Sequence, residues 1–236
     1  MSFGAHAEAG RIPATKRSRT AHTRRVTLVE HVEAERLELV ELLGGLSPEE
    51  LDHPSLCQGW SVRDVAAHAI SYDRLNPFVY AVLFVLTGLS INRTNKALVW
   101  WWRRRDLDRL MDAYRRSPRP RGMMRLLGSR IALLDVLVHQ QDIRRPLDRP
   151  REIPPARTEA VARILVHHRI GAGGASRARH LRFEATDAGW TVGTGEQTVS
   201  GPAEAIVTAL AGRADALQSL EGDGFESFAA RVAGRG

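Results

Sequence analysis

A single cysteine, Cys57, stands among 236 residues. One thiol closes no internal disulfide, which fits a reducing cytoplasm. It also implies that any thiol chemistry here uses a thiol brought in from outside. Long apolar runs are as scarce. The most apolar stretch, FVYAVLFVLTGLSI from Phe78 to Ile91, is interrupted by Thr87, Gly88 and Ser90. It falls short of the roughly 20 residues that a spanning helix needs, so it reads as a buried helix and no membrane partner is expected. No secretory leader and no internal repeat are recognisable. Acidic residues are nearly missing from residues 1–25, where six basic side chains face Glu8 alone. That segment accounts for +5 of the net charge of +7 and leaves the body of the chain close to neutral. Without apolar periodicity it reads as a disordered basic tail. The positive charge is therefore a property of the tail, and nucleic acid is not an expected partner.

What is present is mostly helical. Leu28 to Leu43 has the apolar spacing of a long amphipathic helix, stopped by Gly44 and Gly45. SPEE follows, with Ser47 as cap and Pro48 at the first helical position. In GWSVRDVAAHAISYDR, Ser61 and Asp64 have capping-box spacing, and Val62, Val65, Ala66 and Ala69 form a stripe with His68 on its flank. This helix is expected to end near Arg74. Residues 78–116 read as helical with a break near Gly88. Within them, WWWRRRD from Trp100 to Asp106 points its aromatics in different directions, which suits core and rim packing better than a base-stacking platform. A further helix spans about Met123 to Ile143, and PLDRPREIPP reads as a linker. Four long helices suggest an antiparallel bundle over 26–150. From about residue 151 the character changes. Thr158 to His168 is helical, HLRFEAT alternates as a strand, DAG turns, WTVGTG returns as a second strand, and GPAEAIVTALAGR is a helix. Residues 151–236 thus form a small α+β domain.

The chemistry concentrates in SRIALLDVLVHQQDIRRPL. From Ile131 to His139 only Asp135 and His139 are polar, and at i and i+4 they share one helix face. A buried carboxylate needs compensation. An arginine such as Arg130 or Arg63 can supply it, and His139 can be a satisfied core histidine. A divalent metal is the other solution, since carboxylate and neutral imidazole are both good ligands for zinc and similar ions. His68 on another bundle helix is the natural third ligand. Three protein ligands leave one position open, as catalytic sites do. Asp142 either orients His139 or pairs with Arg144 or Arg145, and the second reading is preferred. Cys57 reads as buried structure rather than as a nucleophile.

GWSVRDVAAHAI followed some seventy residues later by LLDVLVHQQDIRRPL resembles the mycothiol-dependent maleylpyruvate isomerase family, within the wider DinB-like group of metal-binding four-helix bundles. ATDAGWTVGTG and GPAEAIVTALAGR are similar to that family's small C-terminal lobe. The resemblance implies a mainly α protein, a DinB-like four-helix bundle followed by a small α+β domain. It implies His68, Asp135 and His139 as metal ligands, with Asp135 standing where the family usually has Glu. It implies a catalytic arginine in the C-terminal lobe, best matched by Arg213. Arg93 is a candidate for binding an anionic group of the cofactor. The implied function is a cytoplasmic mycothiol-dependent metalloenzyme, an isomerase or S-transferase. Its cofactors are a divalent metal, expected to be zinc, and mycothiol or a similar low-molecular-weight thiol as cosubstrate, acting on a small electrophile. The alternative is a non-catalytic bundle that binds a metal or a small molecule.

Overall fold

The computed structural model describes Met1 and residues 26–103, 107–167 and 173–234. The basic tail, Arg104 to Asp106 of the tryptophan–arginine stretch, and His168 lie outside the described residues. The described elements run α1 (Leu28–Gly44), α2 (Pro48–Asp52), α3 (Val62–Ser71), α4 (Pro77–Leu86), α5 (Ile91–Trp102), α6 (Leu107–Arg116), α7 (Gly122–Leu127), α8 (Ser129–Arg144), α9 (Pro155–His167), α10 (Gly174–Arg177), β1 (Leu181–Ala185), β2 (Thr191–Gly193), β3 (Gln197–Gly201), α11 (Ala203–Leu210) and α12 (Phe225–Ala233). A 3-10 turn, Ala214–Ser219, precedes α12.

The fold is mainly α with a small sheet. In the N-terminal half α1 packs along α8, α3 lies against α8, α5 and α6, and α6 also meets α1. Three helix starts are fixed by reciprocal capping boxes, Thr27 with Glu30, Ser47 with Glu50 and Ser61 with Asp64. Fully buried Val32, Leu39, Val65, Ile70, Leu133 and Leu137 fill the space between α1, α3 and α8. This layer holds α3 against α8, the two helices that carry the polar residues of interest.

In the C-terminal half the strands are ordered β2-β1-β3, with β1 antiparallel to β2 and parallel to β3. Phe183 sits between Val192 and Val199 in register. β1 alternates buried and exposed residues, as its sequence pattern requires. α9 packs on α11, α8 and β2, so the small sheet and the bundle share α9 as a wall. A buried ionic cluster ties the halves together. Glu35 of α1, completely buried, accepts from Arg157 of α9 at 2.6 Å, from Arg151 at 2.7 Å and from Gln140 of α8 at 2.6 Å.

Several expectations need correction. The helix expected from Met123 to Ile143 is two helices, because Gly128 takes φ +88°, a left-handed conformation that ends α7 before α8 begins. α3 ends at Ser71, three residues short of Arg74. β3 adds a strand to the two expected, since QTVSG carries only one large apolar residue, Val199. The most consequential correction concerns the apolar run. α4 was expected to be buried, yet none of its residues is. It projects from the bundle, touching it through α5 and α7, with Tyr80 and Leu83 as its partly buried contacts to the core. A helix apolar all round announces no preferred face, so sequence patterning cannot say that it will be left uncovered. Among the described residues no single helix is long and apolar enough to cross a membrane; α4 and α5 pass that test only as a pair bent by 114°.

Candidate metal centre

Asp135 and His139 project from successive turns of α8 toward α3, and His68 projects from α3 toward them. His139 Nε2 lies 3.5 Å from Asp135 Oδ1. The His68 and His139 rings meet edge to face with centroids 4.9 Å apart. One ligand atom from each of His68, Asp135 and His139 lies within 4.8 Å of the others, close enough to share one ion. The pairings to Arg63 and Arg130 are not made: Arg63 binds Asp52 on the surface, and Asp135 faces the two imidazoles.

His68 is clamped between aromatic rings. Trp60, in the turn before α3, and Tyr72, just after it, lie 5.1 and 5.2 Å away by ring centroid. Tyr72 is fixed in turn by donating from its hydroxyl to Asn95 Oδ1 of α5 at 2.5 Å. Burial, followed by the charge of His139, pushes the His68 imidazole down to about 4, so it is neutral at neutral pH, the form that ligates metals. Its Nδ1 is buried and has no hydrogen-bond partner among the described residues. A buried ring nitrogen without a partner is unusual, and a ligand is one way to satisfy it.

His139 is held from behind. Its Nδ1 meets Asp142 Oδ2 at 2.9 Å, which turns the opposite nitrogen toward Asp135. Burial works against a charged His139, but Asp135 and then Asp142 outweigh it and raise its pKa well above the ordinary value. Burial likewise opposes the charge on Asp135, and His139 more than offsets this and lowers the carboxyl.

Asp142 does not pair with Arg144 or Arg145, contrary to expectation. Completely buried, it takes a bidentate contact from Arg213, Nε at 2.8 Å and Nη2 at 2.6 Å, and accepts from Cys57 Sγ at 3.1 Å. Arg213 follows Gly212, whose φ of +96° turns the chain out of α11; a Cβ there would meet Arg177 Nη2 at 2.5 Å. The C-terminal half thus delivers a guanidinium to the back of the bundle site. Cys57, His139 and Asp142 also lie close enough to share an ion. An ion there would face Arg213, whose Nη2 is 3.8 Å from Cys57 Sγ, so the His68–Asp135–His139 group is the better cation site.

The His68–Asp135–His139 group opens onto a cavity of about 620 Å³. Ile131, Leu134 and Val138 of α8 give it an apolar wall, and Asn92, Asn95 and Lys96 of α5 also line it. His68, Asp135, His139 and Arg213 all line it. Arg93 does not. It is exposed in the first turn of α5, with its guanidinium over Gly88. Positions 92, 95 and 96 share a helix face, so Lys96 is the α5 cation that the cavity receives. Sequence reasoning missed Lys96, Asn95 and the Asp142–Arg213 pair. Only for Asp142 was there a signal, its i+3 spacing from His139.

Residues 32–82 match the family model described as the mycothiol maleylpyruvate isomerase N-terminal domain. The match includes His68 and stops well before Asp135 and His139. No curated protein matches the chain. Two solved structures are similar: the crystal structure of the mycothiol-dependent maleylpyruvate isomerase, at 15% identity and TM-score 0.47, and that of a histidine-to-alanine mutant of this isomerase, at 14% and 0.46. Each alignment covers 83% of this chain and 90% of the other. The resemblance drawn from the sequence motifs is thus met by a family model over the segment that carries α3.

Proposed function

We propose that this chain is a mycothiol-dependent metalloenzyme, an isomerase or S-transferase of a small electrophilic metabolite. His68, Asp135 and His139 hold a divalent metal, zinc in this reading, and the cosubstrate is mycothiol or a similar low-molecular-weight thiol. The observation that carries the proposal is the convergence of these three side chains, from two helices, in the wall of one cavity. The residues fit the ion: two imidazoles and a carboxylate suit zinc, three protein ligands leave a position open, and His68 Nδ1 is buried without a described partner. When bound, such a metal lowers the pKa of a thiol and keeps it as thiolate at neutral pH.

The chain's own residues do the rest. Asp142 orients His139 through Nδ1. Arg213 balances the charge of Asp142 and spends a further contact on the Ala211 carbonyl, at 2.8 Å. A guanidinium has five N–H groups, so Arg213 keeps a donor for an anionic group in the cavity. Lys96 offers a second cation in the cavity lining. The apolar α8 wall excludes water from the substrate's carbon skeleton. The thiolate sulfur adds to an electrophilic carbon and the displaced π electrons move into the conjugated acceptor. Bond rotation and loss of the thiol complete an isomerisation; protonation with the sulfur retained completes a transfer.

Metal analysis of the purified protein reconstituted with zinc, beside His68→Ala and His139→Ala, is the test. Stoichiometric metal in wild type, lost in both variants, is expected, together with turnover of an electrophile panel that requires mycothiol. Wild type without stoichiometric metal overturns the site. Metal without thiol-dependent turnover leaves a non-catalytic metal-binding bundle.

A further inference from the structure

We propose that the α4–α5 hairpin docks this protein on an anionic lipid bilayer, with the helices lying in the interface rather than spanning it. No residue of α4 is buried, and Phe78 and Leu86 are 76% and 77% exposed. Val85, Leu89 and Ile91 continue the exposed apolar surface around the turn, and Leu126 of neighbouring α7 adds to it. Leu89, at the tip, is held at φ +57°, a conformation a leucine rarely adopts. An uncovered patch of this kind marks an interaction surface.

Charge selects the partner. No charged side chain occurs between Arg74 and Arg93, and no acidic one between Asp73 and Asp106. The rim is basic: Arg74 enters the hairpin, Arg93 lies over its turn at Gly88, and Arg125 follows on α7. None of these three forms an ion pair with a described residue. A symmetric contact with a second copy would press this acid-free basic rim against itself. A surface that is apolar inside and negative at its rim complements it, and an anionic bilayer is such a surface. Length decides between lying and crossing. The helices have 10 and 12 residues and are bent by 114°, so each is only about 15–18 Å long against a hydrocarbon core of about 30 Å. Exposed Trp100 and Trp101 at the far end of α5 are of the residue type enriched at headgroup level. The same hairpin supplies Ile91, Asn92 and Lys96 to the cavity wall, so docking brings the cavity to the membrane. This inference is independent of the metal reading and survives its failure.

The test is co-sedimentation of the full chain with vesicles of phosphatidylcholine, alone or mixed with phosphatidylglycerol, at low and high salt. Wild type is expected to bind the anionic vesicles and to weaken as salt rises. Phe78→Glu with Leu86→Glu is expected to reduce partitioning at least about tenfold with an unchanged circular dichroism spectrum, since both side chains leave the core untouched. Val85→Glu alone, a milder change, is expected to give a smaller drop, and deletion of residues 1–25 is expected to preserve binding. Wild type that stays in the supernatant at low salt overturns the proposal. So does binding that survives the glutamates but is lost with the tail. So too does light scattering that shows a dimer dissolved by the glutamates while vesicles bind nothing, which would make the patch a contact between copies.

Discussion

Replacing Asp142 with Asn separates two jobs that one carboxylate performs. Oδ2 serves His139 Nδ1, Cys57 Sγ and Arg213 Nη2, while Oδ1 serves Arg213 Nε. With His139 protonated at Nδ1, every one of these neighbours is a donor. An asparagine amide must therefore turn its own NH2 group toward donors on one side or the other. It also leaves Arg213, 18% exposed at its side chain, without a counter-charge. Breaking a buried ion pair by removing one partner costs about 3–5 kcal/mol, and for a chain of this length each kcal/mol lowers the melting temperature by about 2–4 °C. Asp142→Asn is thus expected to lose roughly 6–20 °C. Loss of the group that orients His139 is expected to weaken zinc binding by about 10- to 100-fold. Thermal denaturation reads the melting temperature, urea denaturation the free energy, and competition against a chromophoric chelator the zinc affinity. Adding Arg213→Met removes the orphaned charge, so the double variant is expected to recover part of the stability but none of the zinc affinity. The reasoning is refuted if Asp142→Asn stays within about 0.5 kcal/mol of wild-type stability and within about twofold in zinc affinity.

Glu35→Gln is expected to destabilise the fold by about 3–5 kcal/mol in urea melts, because it strips charge from a fully buried acceptor of two arginines. Burial opposes the charges of Glu38 and Glu204, but their arginine partners prevail and hold both carboxyls below the usual range. Their folded pKa values being depressed, their contribution is full above the unfolded value of about 4.3 and is lost as pH falls through the folded values. Urea midpoints are therefore expected to drop on acidification below about pH 4.3, and Glu38→Gln or Glu204→Gln to flatten that drop. Cys57→Ala is expected to keep zinc-dependent, thiol-dependent turnover within about tenfold, as Cys57 is bonded behind His139 rather than acting as the nucleophile; loss of all turnover would make it the reacting thiol. Asp135→Asn is expected to release zinc in elemental analysis, whereas Asp135→Glu keeps a carboxylate on the same face and retains it.

Helix starts were legible because a cap is a local bargain between residues three apart: Ser47 with Glu50 and Ser61 with Asp64 needed no tertiary contact. The pairing of Asp135 with His139 was legible for the same reason, since one turn of helix fixes both side chains on one face. His68 joined them through its place beside an apolar stripe and through the family resemblance. Arg93 shows the limit. It was chosen for its charge, but helix rotation decides which α5 residues meet the cavity, and it presents Asn92, Asn95 and Lys96.

By itself, then, the amino-acid order determined the capped helix starts, the strand alternation of β1 and the residues able to ligate, because each depends on periodicity or on neighbours within one turn. Tertiary structure decided what depends on distance across the chain. It brought α3 to α8, carried Arg213 across 71 positions to Asp142, and left α4 outside the core. Burial is a property of what packs against a surface, and for α4 the described residues supply too little to cover it.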